Sequence, residues 1–190
     1  MVCFLTVFFS CRKSDNKIIS WTHFYVDEST PGKDWGMGGP AVADFDNDGD
    51  MDVAISRRTT EEAYWYERIN DSTWNQHIIG KQSGLSNALG ATTLDIDDDG
   101  WKDVVFNKVW FKNPGSPVNK ENSTWTPNYF AGGGHDIISA DINGDGIEDI
   151  ISYNGDTLAW FDPLMGLSGN LISVNNHDHG GISPHGADAL

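Results

Sequence analysis

Residues 44–55 read DFDNDGDMDVAI, which sets Asp44, Asp46, Asp48 and Asp52 within nine residues before running into Val53-Ala54-Ile55. Like charges this close repel, and an ordinary solvated loop has no use for such regularity. The arrangement recurs as DIDDDGWKDVVF from Asp95 and DINGDGIEDIIS from Asp141, at intervals of 51 and 46 residues. Every copy fits D-x-[D/N]-x-D-G-x-x-D followed by an apolar run. Each is followed by an aromatic pair, Trp65-Tyr66, Trp110-Phe111 and Trp160-Phe161. A polar link leads to a further short strand, TWNQHII after the first copy and TWTPNYF after the second. SWTHFYV from Ser20 is the same element ahead of the first loop. A Gly-rich turn, GMGGP, GLSNALG or AGGGHD, precedes each loop.

A unit of about 45–50 residues with several short strands and Gly turns has the period of a propeller blade. MDVAI, KDVVF and EDIIS are β-branched and apolar, as in buried strands. The aromatic pairs then fall on the next strand and the WNQHII-type segments towards the outer edge, and no long amphipathic helix is evident. The expected fold is all-β, a partial β-propeller of about three and a half blades with Asp-rich cation loops. A closed propeller takes roughly four to eight blades, so a fragment of a longer protein is expected. The tail GISPHGADAL keeps the frame: Gly186 and Leu190 fall where a loop beginning at residue 191 would put them.

The loop spacing suits calcium. Ca²⁺ takes six to eight oxygens from carboxylates, backbone carbonyls and water. Loop positions 1, 3 and 5 point oxygens inward, and Gly at position 6 permits a sharp turn. The side-chain ligands expected are Asp44, Asp46 and Asp48; Asp95, Asp97 and Asp99; and Asp141, Asn143 and Asp145. Position 7 (Asp50, Trp101, Ile147) varies, as it can if only its carbonyl is used, and Asp52, Asp103 and Asp149 close the sites at position 9. A helical EF-hand needs Glu at position 12 and an exiting helix. Here position 12 is Ile55, Phe106 or Ser152, with a β-like flank. The alternative, Asx-rich turns holding no metal, leaves the carboxylates repelling without compensation.

The 190 residues carry 38% hydrophobic and 12% aromatic residues, enough for a core. The formal net charge of −16 argues against nucleic acid, whose phosphates would be repelled, and against a basic membrane-surface patch. Both cysteines, Cys3 and Cys11, precede the repeats, so no disulfide framework supports them. Residues 1–10 form a signal-like hydrophobic leader, 11–19 a polar linker, and 20–190 the repeats. Phe8-Phe9-Ser10 before Cys11 resembles the end of a bacterial lipoprotein signal, with Cys11 the lipidated residue. Its basic start is missing, which suggests a truncated leader or misplaced start codon, and the other reading is a stray hydrophobic N-terminus. A lipid anchor is then the one membrane association expected.

The triplicated loop and its following strand resemble the FG-GAP/VCBS repeat family, over about residues 20–190. The literal Phe-Gly and Gly-Ala-Pro signatures are absent, while GGPAVADFD is close to the VCBS variety. The resemblance implies a calcium-bearing β-propeller in an extracytoplasmic, surface-anchored or periplasmic protein. It does not identify a ligand, since one fold hosts many functions.

Equivalent turns of successive blades converge near a propeller axis, so the Gly-rich turns should ring one mouth of the channel. His135 and His185 share a frame position six before the loop aspartate, and His177 and His179 lie nearby in sequence. These histidines suit a second metal, a substrate carboxylate or acid–base work, or are plain solvated loop residues. Trp35, out of frame beside the presumed mouth, could stack on a sugar ring; Trp65, Trp110 and Trp160 read as core or interblade packing. Two readings follow. One is a non-catalytic module presenting a glycan- or protein-binding surface. The other is a carbohydrate-active enzyme of polysaccharide lyase or sugar dehydratase type, with its site at the channel mouth.

Overall fold

The computed structural model describes residues 20–31, 36–154, 157–163 and 168–172. Cys11, Trp35, His177, His179, His185, the leader and the linker lie outside the described residues. The all-β expectation holds: among the described residues twelve strands form three four-stranded sheets, with two single-turn 3-10 segments, Leu85–Asn87 and Val118–Lys120. The first sheet holds β1 (Ala41–Ala43), β2 (Asp52–Arg57), β3 (Glu62–Asn70) and β4 (Thr73–Lys81). The second holds β5 (Ala91–Leu94), β6 (Asp103–Phe106), β7 (Val109–Lys112) and β8 (Thr126–Tyr129). The third holds β9 (Asp136–Ala140), β10 (Asp149–Asn154), β11 (Thr157–Asp162) and β12 (Ser168–Ile172). Each is an antiparallel meander in sequence order, and none closes into a barrel.

The repeat frame becomes a strand register. The residue after each ninth-position aspartate pairs with the second aromatic, as in Val53↔Tyr66, Val104↔Phe111 and Ile150↔Phe161. The next residue pairs with the tryptophan, as in Ala54↔Trp65, Val105↔Trp110 and Ile151↔Trp160. Because side chains alternate faces along a strand, each aromatic pair sends one ring to each side of its sheet.

Those faces stack. Trp65 and Ala54 of the first sheet meet Val104, Phe106 and Phe111 of the second, together with Phe45 and Trp125. Val105 and Trp110, on the second sheet's other face, meet Ile137, Ile150 and Phe161 of the third. The second sheet is therefore covered on both sides, which is why all four residues of β6 are buried and why its sequence is a continuous apolar run. The first strands lie side by side, β1 against β5 and β5 against β9. Their contacts are partly polar, with Thr93 Oγ1 donating to the Val42 carbonyl at 3.3 Å and Thr92 Oγ1 to Ser139 Oγ at 3.0 Å.

The segment SWTHFYV differs from expectation: residues 20–26 form no strand. An outer strand needs an inner neighbour to complete its ladder, and none pairs with it among the described residues. Val26 instead packs on the outward face of the first sheet with Tyr64 and Tyr66, and the Tyr66 hydroxyl donates to Asp27 Oδ2 at 2.8 Å. No helix among the described residues is long and apolar enough to cross a membrane.

Candidate metal centre

Each Asp loop joins the first strand of a sheet to the second, and its backbone follows from residue type. Position 6 has positive φ in every copy: Gly49 at 100°, Gly100 at 88° and Gly146 at 92°. Nothing stands within 4 Å of where a Cβ would sit on these residues, so conformation and not space demands glycine. Position 4 is also left-handed, at Asn47 (57°), Asp98 (57°) and Gly144 (79°), the residue types that tolerate it.

The first aspartate organises the turn. Asp44 accepts the N–H groups of Asp48 at 3.1 Å and Gly49 at 2.9 Å. Asp95 does the same for Asp99 and Gly100 at 3.0 and 2.8 Å, and Asp141 for Asp145 and Gly146 at 3.2 and 3.0 Å. The fifth-position side chain accepts the N–H of position 7, so Asp48, Asp99 and Asp145 hold Asp50, Trp101 and Ile147. Side chains 1, 3 and 5 are left converging. Asp44, Asp46 and Asp48 bring oxygens within 4.8 Å of one another, as do Asp95, Asp97 and Asp99.

The ninth-position aspartates stand outside these triads and tie strands together. Asp52 Oδ2 accepts from Phe45 N at 3.0 Å and Oδ1 from Arg68 N at 2.8 Å. Asp103 repeats this with Ile96 N at 3.1 Å and Asn113 N at 2.7 Å, and Asp149 accepts from Ile142 N at 2.9 Å. Burial pushes the Asp52 carboxyl up to about 6 and that of Asp103 to about 7. Two backbone N–H bonds pull the other way on each, and the loop carboxylates push further up. Asp149 is also raised, by burial first.

A folded-state value above the unfolded one means stability that is present in acid and lost as pH rises through the folded value. With metal chelated, the urea midpoint is therefore expected to fall as pH rises from about 5 to about 8, and Asp103→Asn should flatten the upper part of that fall. A midpoint that rises over this range contradicts the assignment.

Residues outside the motif complete the loops' surroundings. Lys120, from the turn before β8, places Nζ 2.7 Å from Asp46 Oδ2 and 2.5 Å from Glu67 Oε1. Lys112 Nζ contacts Asp97 and lies 2.9 Å from Asp99 Oδ2. Arg68 lies 3.0 Å from Asp50. Asn143 Nδ2 donates to Asp145 Oδ2 at 2.8 Å and to Asp162 Oδ2 at 3.3 Å. Asn113 and Asn119 both donate to the buried Phe45 carbonyl, at 2.8 and 2.7 Å. Glu67, Lys112 and Asp162 each directly follow an aromatic pair, a signal legible in the frame. Lys120, Asn113 and Asn119 carry no such signal, because they act on another sheet's loop.

In the first loop two buried carboxylate oxygens, Asp50 Oδ1 and Asp46 Oδ1, have no hydrogen-bond partner, and the Asp46 side chain is almost wholly buried. An unpaired carboxylate oxygen away from water is costly, and that of Asp46 belongs to the triad of the first loop. The donor set there is all oxygen, which fits a hard cation.

The candidate ligand residues at the opposite end of the strands are only partly described. His135 is exposed, with Nδ1 3.0 Å from Asp136 Oδ1. It lines a cleft of about 480 Å³ with Arg58, Lys108, Asn107 and the glycines 132–134. These residues lie on the hairpins after β2 and β6 and on the approach to β9, away from the Asp loops.

No curated protein matches the chain. Residues 44–106, which run from the first Asp loop through β6, match the FG-GAP-like repeat family. The chain thus carries an FG-GAP-like repeat, the family its triplicated loops resemble.

Proposed function

We propose that this chain is a calcium-binding, extracytoplasmic β-propeller module of about three and a half blades. In this reading the three sheets are successive blades, β1, β5 and β9 line the axis, and the Asp loops sit together at one end. The observation that carries the metal is the first loop's triad, whose Asp46 contributes a buried oxygen with no other partner. Asp44, Asp46 and Asp48 would hold the ion, with the position-7 carbonyl of Asp50 available to it. FG-GAP-type repeats are typical of extracellular proteins, which accords with a lipid anchor at Cys11 and a surface or periplasmic setting.

The ion's role here is structural, since each loop ties two adjacent strands. The partner-binding face is the other end, at the cleft beside His135, and its ligand is a glycan or a surface protein. Within a chain of net charge −16 this cleft is lined by Arg58, Lys108 and His135, with Asp136 at its edge beside His135, and this local excess of basic side chains favours an acidic sugar among glycans.

Titration of the calcium-loaded chain with a galacturonate tetramer and with its neutral galactose counterpart tests this. Binding of the uronate is expected, weakened by salt and by at least about tenfold in Arg58→Ala/Lys108→Ala, a loss of about 1.4 kcal/mol. Equal binding of the neutral tetramer, or no change in the double variant, removes the assignment of this face.

A further inference from the structure

Two Asn-Gly steps occur in the chain, Asn143-Gly144 and Asn154-Gly155. Such a step is chemically labile, because glycine has no Cβ to keep the asparagine side-chain carbon away from the next peptide nitrogen. The first of them fills positions 3 and 4 of the third Asp loop, where the other loops carry Asp46-Asn47 and Asp97-Asp98. Asn143 and Gly144 are both exposed. Gly144 has φ of 79°, and nothing stands within 4 Å of where its Cβ would sit. Water therefore reaches this peptide unhindered.

The hydrogen bonds of the loop engage each atom that a reaction at Asn143 would use. Gly144 N–H donates to Asp141 Oδ1 at 2.7 Å, so an acceptor already draws on the proton this nitrogen must lose to become a nucleophile. Asp145 N–H donates to Asn143 Oδ1 at 2.9 Å. That bond folds the side chain back over the Gly144 peptide, and it meets the oxygen on which negative charge develops when Cγ is attacked. Asn143 Nδ2, the nitrogen that would leave, donates to Asp145 Oδ2 at 2.8 Å and to Asp162 Oδ2 at 3.3 Å. The first loop's asparagine is placed otherwise. Asn47 is followed by Asp48, and its amide nitrogen donates to the Gly100 carbonyl of the second loop at 3.3 Å.

We propose that Asn143 deamidates within the folded protein, assisted by its own loop. The Gly144 nitrogen attacks Asn143 Cγ and the Cγ–Nδ2 bond breaks. The proton lost by the Gly144 nitrogen ends on the departing amide nitrogen, which leaves as ammonia, and a succinimide closes. Water then opens the ring. Breaking the bond from Cγ to the ring nitrogen gives aspartate, whereas breaking the bond from the backbone carbonyl carbon gives isoaspartate, with the main chain rerouted through the side chain. Water is the one co-reactant. The aspartate product puts at position 3 the carboxylate that the first two loops carry there. Either product replaces an amide donor by a negative charge facing Asp145 and Asp162, so the third loop changes its charge as the folded molecule ages. The inference is independent of the calcium reading above.

Peptide mapping by mass spectrometry, on the full chain incubated at neutral pH and physiological temperature, tests the proposal. Asn154-Gly155 serves as the comparator within the same molecule, with Asn154 held in strand register opposite Thr157. Asn143 is expected to show the mass gain of amide-to-acid exchange at least about tenfold faster than Asn154, with isoaspartate among the products detected by methyltransferase labelling. In denaturing urea the Asn143 rate should fall and the two steps should converge. Gly144→Ala, which sets a Cβ beside the attacking nitrogen at a φ that L residues avoid, should slow Asn143 and leave Asn154 unchanged, the second reading serving as the check on folding. Equal rates at the two steps in the folded chain, or an Asn143 rate that rises on unfolding, overturns the proposal.

Discussion

Chelating calcium from the loaded protein is expected to lower its melting temperature by roughly 5–10 °C for each loop emptied. A ligand present at about 100 times its Kd contributes about 2.7 kcal/mol, and a domain of this size shifts by roughly 2–4 °C per kcal/mol. The reason for so large an effect lies in the first loop. Asp44, Asp46 and Asp48 are forced together by the turn that Asp44 itself organises, and Asp46 is buried with an oxygen unsatisfied. Without a cation the folded state carries that repulsion and the unpaired atom; the unfolded chain carries neither. Asp46→Ala with Asp48→Ala should empty this loop alone, because repeat units contribute largely independently beyond their neighbours. A melting temperature indifferent to EDTA would remove the metal, and loss of every site in the double variant would show the sheets are not independent units.

Trp65→Ala is expected to cost about 3–5 kcal/mol, the range for an aromatic removed from a packed core, read as a drop in urea midpoint. Trp65 is fully buried between the first and second sheets. It packs edge-on to Phe45, with ring centroids 5.9 Å apart, and stacks on His77 at 4.6 Å. Its Nε1 donates to the Asn119 carbonyl at 3.1 Å, the residue whose side chain holds Phe45 in turn. The cavity would thus open where the first Asp loop meets the second sheet. Trp160→Ala, at the same frame position, should cost less than half as much. Its side chain is only half-buried, on the face of the third sheet turned away from the second. Equal losses from the two variants would mean that the stacking order of the sheets is not what distinguishes them.

That contrast marks how far the sequence could be read. The loops were legible because their demands are local. A left-handed backbone at positions 4 and 6 selects Asn, Asp or Gly, and alternate carboxylates converge whatever surrounds them. The strands after each loop were legible for a similar reason, since β-branched apolar runs between Gly turns have few other conformations. SWTHFYV matches the outer-strand element of the repeat frame, yet residues 20–26 form no strand, with Trp21, Phe24 and Tyr25 exposed and Val26 packed on the first sheet, because a strand is completed by a partner and not by propensity. The ninth-position aspartates, expected at the close of each loop, accept the N–H groups of Phe45, Arg68, Ile96, Asn113 and Ile142, a strand-tying role that the loop pattern does not announce.

The sequence by itself determined the repeated unit: an Asp loop, a buried strand, an aromatic pair and an outer strand, all held in one frame by short-range sterics and period. Only the tertiary structure decided what made the three copies unlike. Stacking the sheets face to face buries Trp65 and leaves Trp160 half-open. It brings Lys120, from the turn before β8, onto Asp46 of the first loop. Burial and charge pairing depend on which face meets which neighbour, and no local pattern encodes that.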